Sequence, residues 1–288
     1  MRKQQRCLLF VLAITVSSFA PGCVQFRNWC GQRFSPPPLP CELPDDMTQA
    51  ELVTYLNENT KKIWSWRTTR GSISVHGRGI LVPSVGAMIA VESPRNFRLV
   101  ASSPMGNEVD LGSNEEHFWF WNKHSEEKYV YQASHDQEPE RMRRFPIPFQ
   151  PDWIMETLGV IGIDPDQELT MQPPQPGSHT VLLMADRVSP QGFKVRKVTA
   201  VDLCRGVIRE HALYDARGQL IARAVLSNHY RDQKSQAVLP STIQLEWPQA
   251  NLNLTMNFSD IEVNPPKIPR QTWTVPNIPD SPVRDMTQ

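Results

Sequence analysis

The sequence predicts a mainly β protein with a few helices, built around one curved antiparallel sheet, and three observations carry that prediction. Two long stretches free of proline clusters break into short runs bounded by Pro, Gly, Asn or charged pairs, the punctuation of strands and turns. Asn251-Leu252-Asn253-Leu254-Thr255-Met256-Asn257-Phe258 alternates, so Leu252, Leu254, Met256 and Phe258 share one greasy face of a strand while the Asn and Thr residues face water. A short apolar segment between the two strand sets, Trp153 to Val160, needs somewhere to sit, and the concave face of a curved sheet is the natural place.

The first element is a helix over Thr48–Ile63. Thr48-Gln49-Ala50-Glu51 reads as a capping box, Met47 and Leu52 stand at hydrophobic-staple positions, and Leu52, Leu56 and Ile63, joined by Val53 and Thr60, form one mostly apolar stripe. Strand-like runs follow at Gly71–Ile80, Val85–Val91, Phe97–Ala101, Glu108–Leu111, His117–Asn122 and Lys128–Gln132. Ala133 to Arg144 is polar, and Phe145–Pro151 is apolar but broken by proline; Asp152 then caps a short helix from Trp153 to about Val160. The second strand set runs through His179–Ala185, Phe193–Leu203, Val207–Tyr214, Gln219–Tyr230, Leu239–Trp247 and Asn251–Val263, with a hairpin turn at Tyr214–Gly218. Beyond Val263 the chain is proline-rich again and reads as a draped or disordered tail.

The N-terminus carries targeting information rather than fold. Arg2, Lys3 and Arg6 precede an uncharged, mostly apolar run from Cys7 to Phe19, which is short for a bilayer span and fits a cleavable secretory signal. Ala20-Pro21-Gly22-Cys23 follows and resembles a bacterial lipobox, with Pro21 an unusual occupant and Ala20 in place of the commoner Leu. The resemblance implies cleavage before Cys23, lipid on the Cys23 thiol and a membrane-tethered product; an ordinary signal peptide with a coincidental cysteine is the alternative. The expected organisation is a signal at 1–22, a lipidated N-terminus and Pro-rich tether at 23–46, one domain at 47–263 and a Pro-rich tail at 264–288. Ser35-Pro36-Pro37-Pro38-Leu39-Pro40 suits an extended spacer from the membrane.

Composition excludes several classes of function. Basic and acidic residues balance at 30 each, which gives no bulk electrostatic case for nucleic acid. Of the five cysteines, Cys7 leaves with the signal and Cys23 carries lipid; Cys30 and Cys41 could close a small loop in an oxidising compartment, and Cys204 reads as a small buried hydrophobe in a strand. No C-x-x-C, H-E-x-x-H, G-x-S-x-G or P-loop pattern occurs, so neither metal, cofactor nor enzyme chemistry is expected. His117, His124 and His135 fall close together beside several acids but match no ligand spacing, and His179, His211 and His229 lie in separate expected strands as singly satisfied side chains.

The order of elements, with Ala50–Trp66 leading into Gly71–Gly79, Pro94–Leu99, Gly106–Asn114 followed by His117–Trp121, and the closing Leu239–Pro248 and Leu252–Val263, resembles the outer-membrane lipoprotein-sorting proteins, the periplasmic carrier and lipoprotein receptor of the Lol system. That resemblance implies a half-open β-barrel with helices plugging its mouth and a hydrophobic cavity for acyl chains. The candidate cavity residues are Leu252, Leu254, Met256, Phe258, Trp153, Ile154 and Leu158, and Cys23 is the lipidation site. The expected function is non-enzymatic binding of a lipid or lipoprotein acyl chain by a lipid-anchored envelope protein. An envelope scaffold or sensor that binds a protein partner, its cavity filled by its own side chains, is the alternative. Val24 after the cysteine is not the Asp that retains lipoproteins at the inner membrane, so the outer membrane, facing the periplasm, is the expected location.

Overall fold

Among the described residues fifteen strands join in a single sheet, whose order explains how two separate meanders become one surface. The computed structural model describes residues 38–77, 80–135, 151–188 and 194–286. The first meander comprises β1 (Ser65–Gly77), β2 (Ile80–Glu92), β3 (Asn96–Ser103), β4 (Gly106–Ser113), β5 (His117–Asn122) and β6 (Val130–Ser134). The second comprises β7 (Thr170–Gln172), β8 (Thr180–Val188), β9 (Lys194–Asp202), β10 (Val207–Asp215), β11 (Leu220–Arg231), β12 (Val238–Trp247) and β13 (Leu252–Ser259). They meet where β1 pairs antiparallel with β13, placing Ile73 opposite Met256, Val75 opposite Leu254 and Gly71 opposite Phe258. A two-residue strand, β14 (Glu262–Val263), also pairs with β1, and β15 (Val283–Asp285) adds to β6 in parallel. The free edges are β15 and β7, so the curved sheet stays open as a half-barrel.

The helix α1 (Gln49–Thr60) begins as its sequence dictates. Thr48 caps it, with the Glu51 amide donating to Thr48 Oγ1 at 3.3 Å and the Thr48 amide donating to Glu51 Oε2 at 2.8 Å. It ends sooner than the stripe through Ile63 suggests. Asn264, at φ 51°, accepts from the Trp64 and Ser65 amides and donates to the Lys62 carbonyl, which pulls the chain out of the helix and into β1. The first strand correspondingly starts at Ser65 rather than Gly71. Its polar start is a strand because Trp66 and Thr68 point inward while Arg67 and Arg70 pair on the outside with Glu262 and Asp260 at 2.8 and 2.7 Å.

β6 and β7 lie towards opposite edges of the sheet, so the connection between them is a crossover. The helix α2 (Pro151–Thr157) lies on that crossing. It starts at Pro151, one turn position before the expected Asp152 cap, because proline at the first helical position loses no hydrogen bond; Asp152 serves instead as the acid of the first turn. Trp153, Ile154, Met155, Leu158 and Val160 join one core cluster with Ile73, Ile89, Leu99 and Phe118 from the first meander and with Leu226, Leu245, Met256 and Phe258 from the second. α1 covers the far end of the same face: Leu52, Val53 and Leu56 pack on Val181, Leu183, Val201 and Leu203 of β8, β9 and the turn after it.

The outer face is covered at β5. Trp119 and Trp121 point outward there, opposite to Phe118 and Phe120, and pack under Val275 and Ile278 of the C-terminal segment. Trp119 lies flat on Gly112, where a Cβ would come within 2.1 Å of its ring, and donates to Asp110 at 2.9 Å. Arg98 pairs with Asp110 at 2.7 Å and also donates to the Thr272 carbonyl, while Trp121 donates to Ser281. The tail is therefore draped and fastened rather than loose.

One covalent link differs from expectation. Cys41 pairs with Cys204, across 163 residues, and not with Cys30. The Glu42 amide donates to the Cys204 carbonyl at 3.0 Å, so the segment before α1 is already aligned on the β9–β10 turn. Cys204 is buried as expected, but in that turn and not in a strand.

Candidate functional site

The concave face is apolar across both meanders because strand register carries one row of side chains straight across the seam. Leu245 of β12 faces Ala224 of β11 and Leu254 of β13, and Leu254 faces Val75 of β1. On β13, Met256 and Phe258 are buried, Leu252 and Leu254 are half-buried against the same cluster, and Asn253, Asn257 and Ser259 are exposed. The period-2 pattern thus translates directly into the site.

α2 fills the centre of this face. Trp153, Ile154 and Leu158 are 4%, 4% and 2% exposed. Trp153 meets Trp247 edge-on with ring centroids 6.2 Å apart, and Trp66, itself 5.4 Å from Phe258, donates its indole N–H to the Leu158 carbonyl at 3.0 Å. Just past the helix, Asn57 of α1 brackets Ile163 with two hydrogen bonds, its Nδ2 donating to the carbonyl and its Oδ1 accepting from the amide, each at 2.8 Å. All seven candidate cavity residues are brought together, but as packed neighbours. The cleft left between α1, α2 and β10–β12 measures about 60 Å³, far below the roughly 300–1,000 Å³ of an ordinary ligand pocket.

Four polar residues under α2 escaped the sequence reading as a group. Glu156 lies among the apolar residues of the helix, with Arg187 Nη1 of β8 donating to its Oε1 at 2.6 Å and Lys197 Nζ of β9 donating to its Oε2. Burial alone would raise the Glu156 carboxyl, but the charges of Lys197 and Arg187 hold it below the usual carboxylate range. Burial pushes Lys197 down, with Glu156 opposing. His211 of β10 shares a hydrogen bond with Thr199 Oγ1 at 3.2 Å, and its Nε2 has no partner among the described residues. Burial, reinforced by Lys197, lowers the imidazole to about 3, so it is neutral near pH 7. The sequence signal was present: Val195, Lys197, Thr199 and Val201 alternate on the inward face of β9.

The other histidines do not assemble a centre. His124 pairs with Glu108 at 2.7 Å, and His135 sits by Ser113 and the Asn114 carbonyl. Among the described residues no three His, Cys, Asp or Glu side chains converge, and no helix is long and apolar enough to cross a membrane. Cys23, Cys30, the Pro-rich spacer through Pro37 and the segment 136–150, with Arg141, Arg143 and Arg144, lie outside the described residues.

An outer membrane lipoprotein-sorting protein domain from Vibrio parahaemolyticus superposes with a TM-score of 0.51 at 10% identity, over 76% of this chain and 95% of that one. This is the fold of the lipoprotein-sorting domains. A LolA superfamily protein from Nitrosomonas europaea gives a TM-score of 0.50 at 11% identity, over 77% of this chain and 96% of that one. At such identities the likeness concerns the fold alone. No protein-family model matches the chain, and no curated protein matches it in sequence.

Proposed function

We propose that this lipoprotein-sorting-type half-barrel binds an apolar chain, a lipid or lipoprotein acyl chain, on its concave face, and that it does so as a lipid-anchored envelope protein without catalysis. The observation that carries the reading is what covers the apolar face. A short helix on a crossover lies there in place of a second sheet, so the surface is exposed by moving one element while the β-ladder stays paired. Large apolar side chains gain roughly 1.5–3 kcal/mol each on burial, so a face stripped of α2 demands a substitute. The anchor rests on the residues Ala20–Cys23, and an outer-membrane location on Val24 in place of Asp.

A second reading is favoured by the small cleft. With about 60 Å³ free in the cleft between α1, α2 and β10–β12, the half-barrel serves equally as a rigid body whose core is α2 and whose surface binds an envelope protein. Native mass spectrometry of the chain purified from a bacterial envelope separates the two. A species heavier by the mass of a lipid, beyond the acylation that Cys23→Ser removes, supports the first. Purely ligand-free protein that remains so after exposure to lipid supports the second.

A further inference from the structure

The plug carries a charge where a plug that only fills space would carry none. Trp153, Ile154, Met155 and Leu158 of the α2 region are buried, and Glu156 is buried among them. Both oxygens of its carboxylate are engaged, one by Arg187 and one by Lys197. The side chains of Glu156 and Lys197 are each 6% exposed and that of Arg187 is 30% exposed. The cations therefore belong to the sheet and the anion to the plug. Among the described residues Glu156 is the carboxylate that acts on Lys197 and on the neighbouring His211. If α2 leaves the face, the sheet keeps two cations without their counter-charge, and an uncompensated charge in a low-dielectric surface is unfavourable. A neutral occupant would restore the apolar contacts and leave that penalty standing; an anionic one would remove both. The guanidinium fork of Arg187 suits a carboxylate or a phosphate, and the unpartnered Nε2 of His211 lies in the same cluster.

We infer that α2 is an internal stand-in for the ligand, its apolar side chains holding the place of an acyl chain and the Glu156 carboxylate the place of an anionic head group, so that the preferred occupant is an amphiphile with a carboxylate or phosphate head. This deepens the acyl-chain reading above and rests on it. Arg187 and Lys197 are the head-group residues, and the face beneath Leu158 receives the chain.

The test titrates laurate, dodecyl phosphate and dodecanol, each below its aggregation concentration, into the full-length chain at pH 7.5. Laurate or dodecyl phosphate should bind about tenfold or more tightly than dodecanol, as expected of hydrogen bonds to charged partners, and the tighter of the two anions names the head group. The triple variant Glu156→Gln/Arg187→Gln/Lys197→Met, which removes both cations together with their counter-charge, should still bind dodecanol while the preference for anions falls to about threefold or less. Equal binding of all three by the unaltered chain overturns this inference and leaves the acyl-chain reading standing. Binding of none overturns both. An anion preference undiminished in the triple variant overturns the assignment of the head-group site to Arg187 and Lys197.

Discussion

Glu156 and Lys197 meet across the junction of α2 and the sheet, one from the plug and one from β9, each side chain only 6% exposed. Breaking a buried pair from one side leaves an uncompensated ion, which typically costs about 3–5 kcal/mol. Arg187 remains beside Glu156, so Lys197→Met should fall at the low end of that range. Glu156→Gln combined with Lys197→Met should recover part of the loss, because the buried pair is then removed whole and only Arg187, 30% exposed, is left without its carboxylate. Urea denaturation of the two single variants and the double variant measures the coupling; additive losses would mean that the two residues act independently.

Leu158 and Leu56 make a second comparison, since both are buried, at 2% and 5%, but under different elements. Leu56→Ala opens a hole between α1 and β8–β9 and should cost about 2–5 kcal/mol. Leu158→Ala should cost less, because a plug that lifts as a unit limits the loss to its own opening energy. The same change should strengthen binding of a fluorescent fatty-acid probe by weakening the plug. Full loss of stability at Leu158 with unchanged probe binding would make α2 ordinary core.

The Cys41–Cys204 bridge closes a loop of 163 residues, and removing a native bridge typically costs about 2–5 kcal/mol. Cys204→Ser should lower the melting temperature by an amount in keeping with that, and Cys30→Ser should not. Peptide mapping without reduction should recover Cys41 joined to Cys204.

His211 gives a pH dependence of defined sign. Its imidazole ionises near 6.5 in the unfolded chain and about 3 in the folded one, so between those values the unfolded state binds more protons. The stability it contributes is complete above pH 6.5 and is lost progressively as the pH falls towards 3. By pH 5 the loss is about 2 kcal/mol relative to pH 7.5. His229, lowered by burial to about 4, acts with the same sign, and Glu156 adds its own loss only below the ordinary carboxylate range. The check is the urea midpoint at pH 7.5 and pH 5.0 for the parent chain and for His211→Gln, which should show the smaller drop.

The parts of this molecule legible in its sequence are those fixed by local chemistry. Thr48 and Glu51 announce the start of α1, the alternation at Leu252–Phe258 gives the facing of β13, and Asp215 with Gly218, at φ 77°, gives a turn. The fold class followed from such elements taken in order. What depends on long-range pairing stayed hidden. Cys30 and Cys41 could close a small loop, yet the bridge goes from Cys41 to Cys204 because the β9–β10 turn lies beside the segment before α1. Arg67 and Arg70 fall between the expected helix and the expected strand, and their ion pairs with Glu262 and Asp260 need the fold to be seen. β7 and β15, at three residues each, are too short to carry a pattern. Glu156, Lys197 and Arg187 are ordinary charges in the sequence, and only the crossing of α2 over β8 and β9 makes them one site.

An apolar ligand that takes the place of α2 on the concave face must touch the inward residues beneath it, and photocrosslinking reads out that contact. A palmitate analogue bearing a diazirine at mid-chain, irradiated with the full-length protein and mapped by peptide sequencing, should label inward residues of β11–β13 such as Leu226, Leu245 and Met256. That labelling should increase in Leu158→Ala. Label confined to exposed apolar side chains such as Trp64 and Met105, with none on the inward residues of those strands in either protein, would mean that no ligand replaces α2 on the concave face.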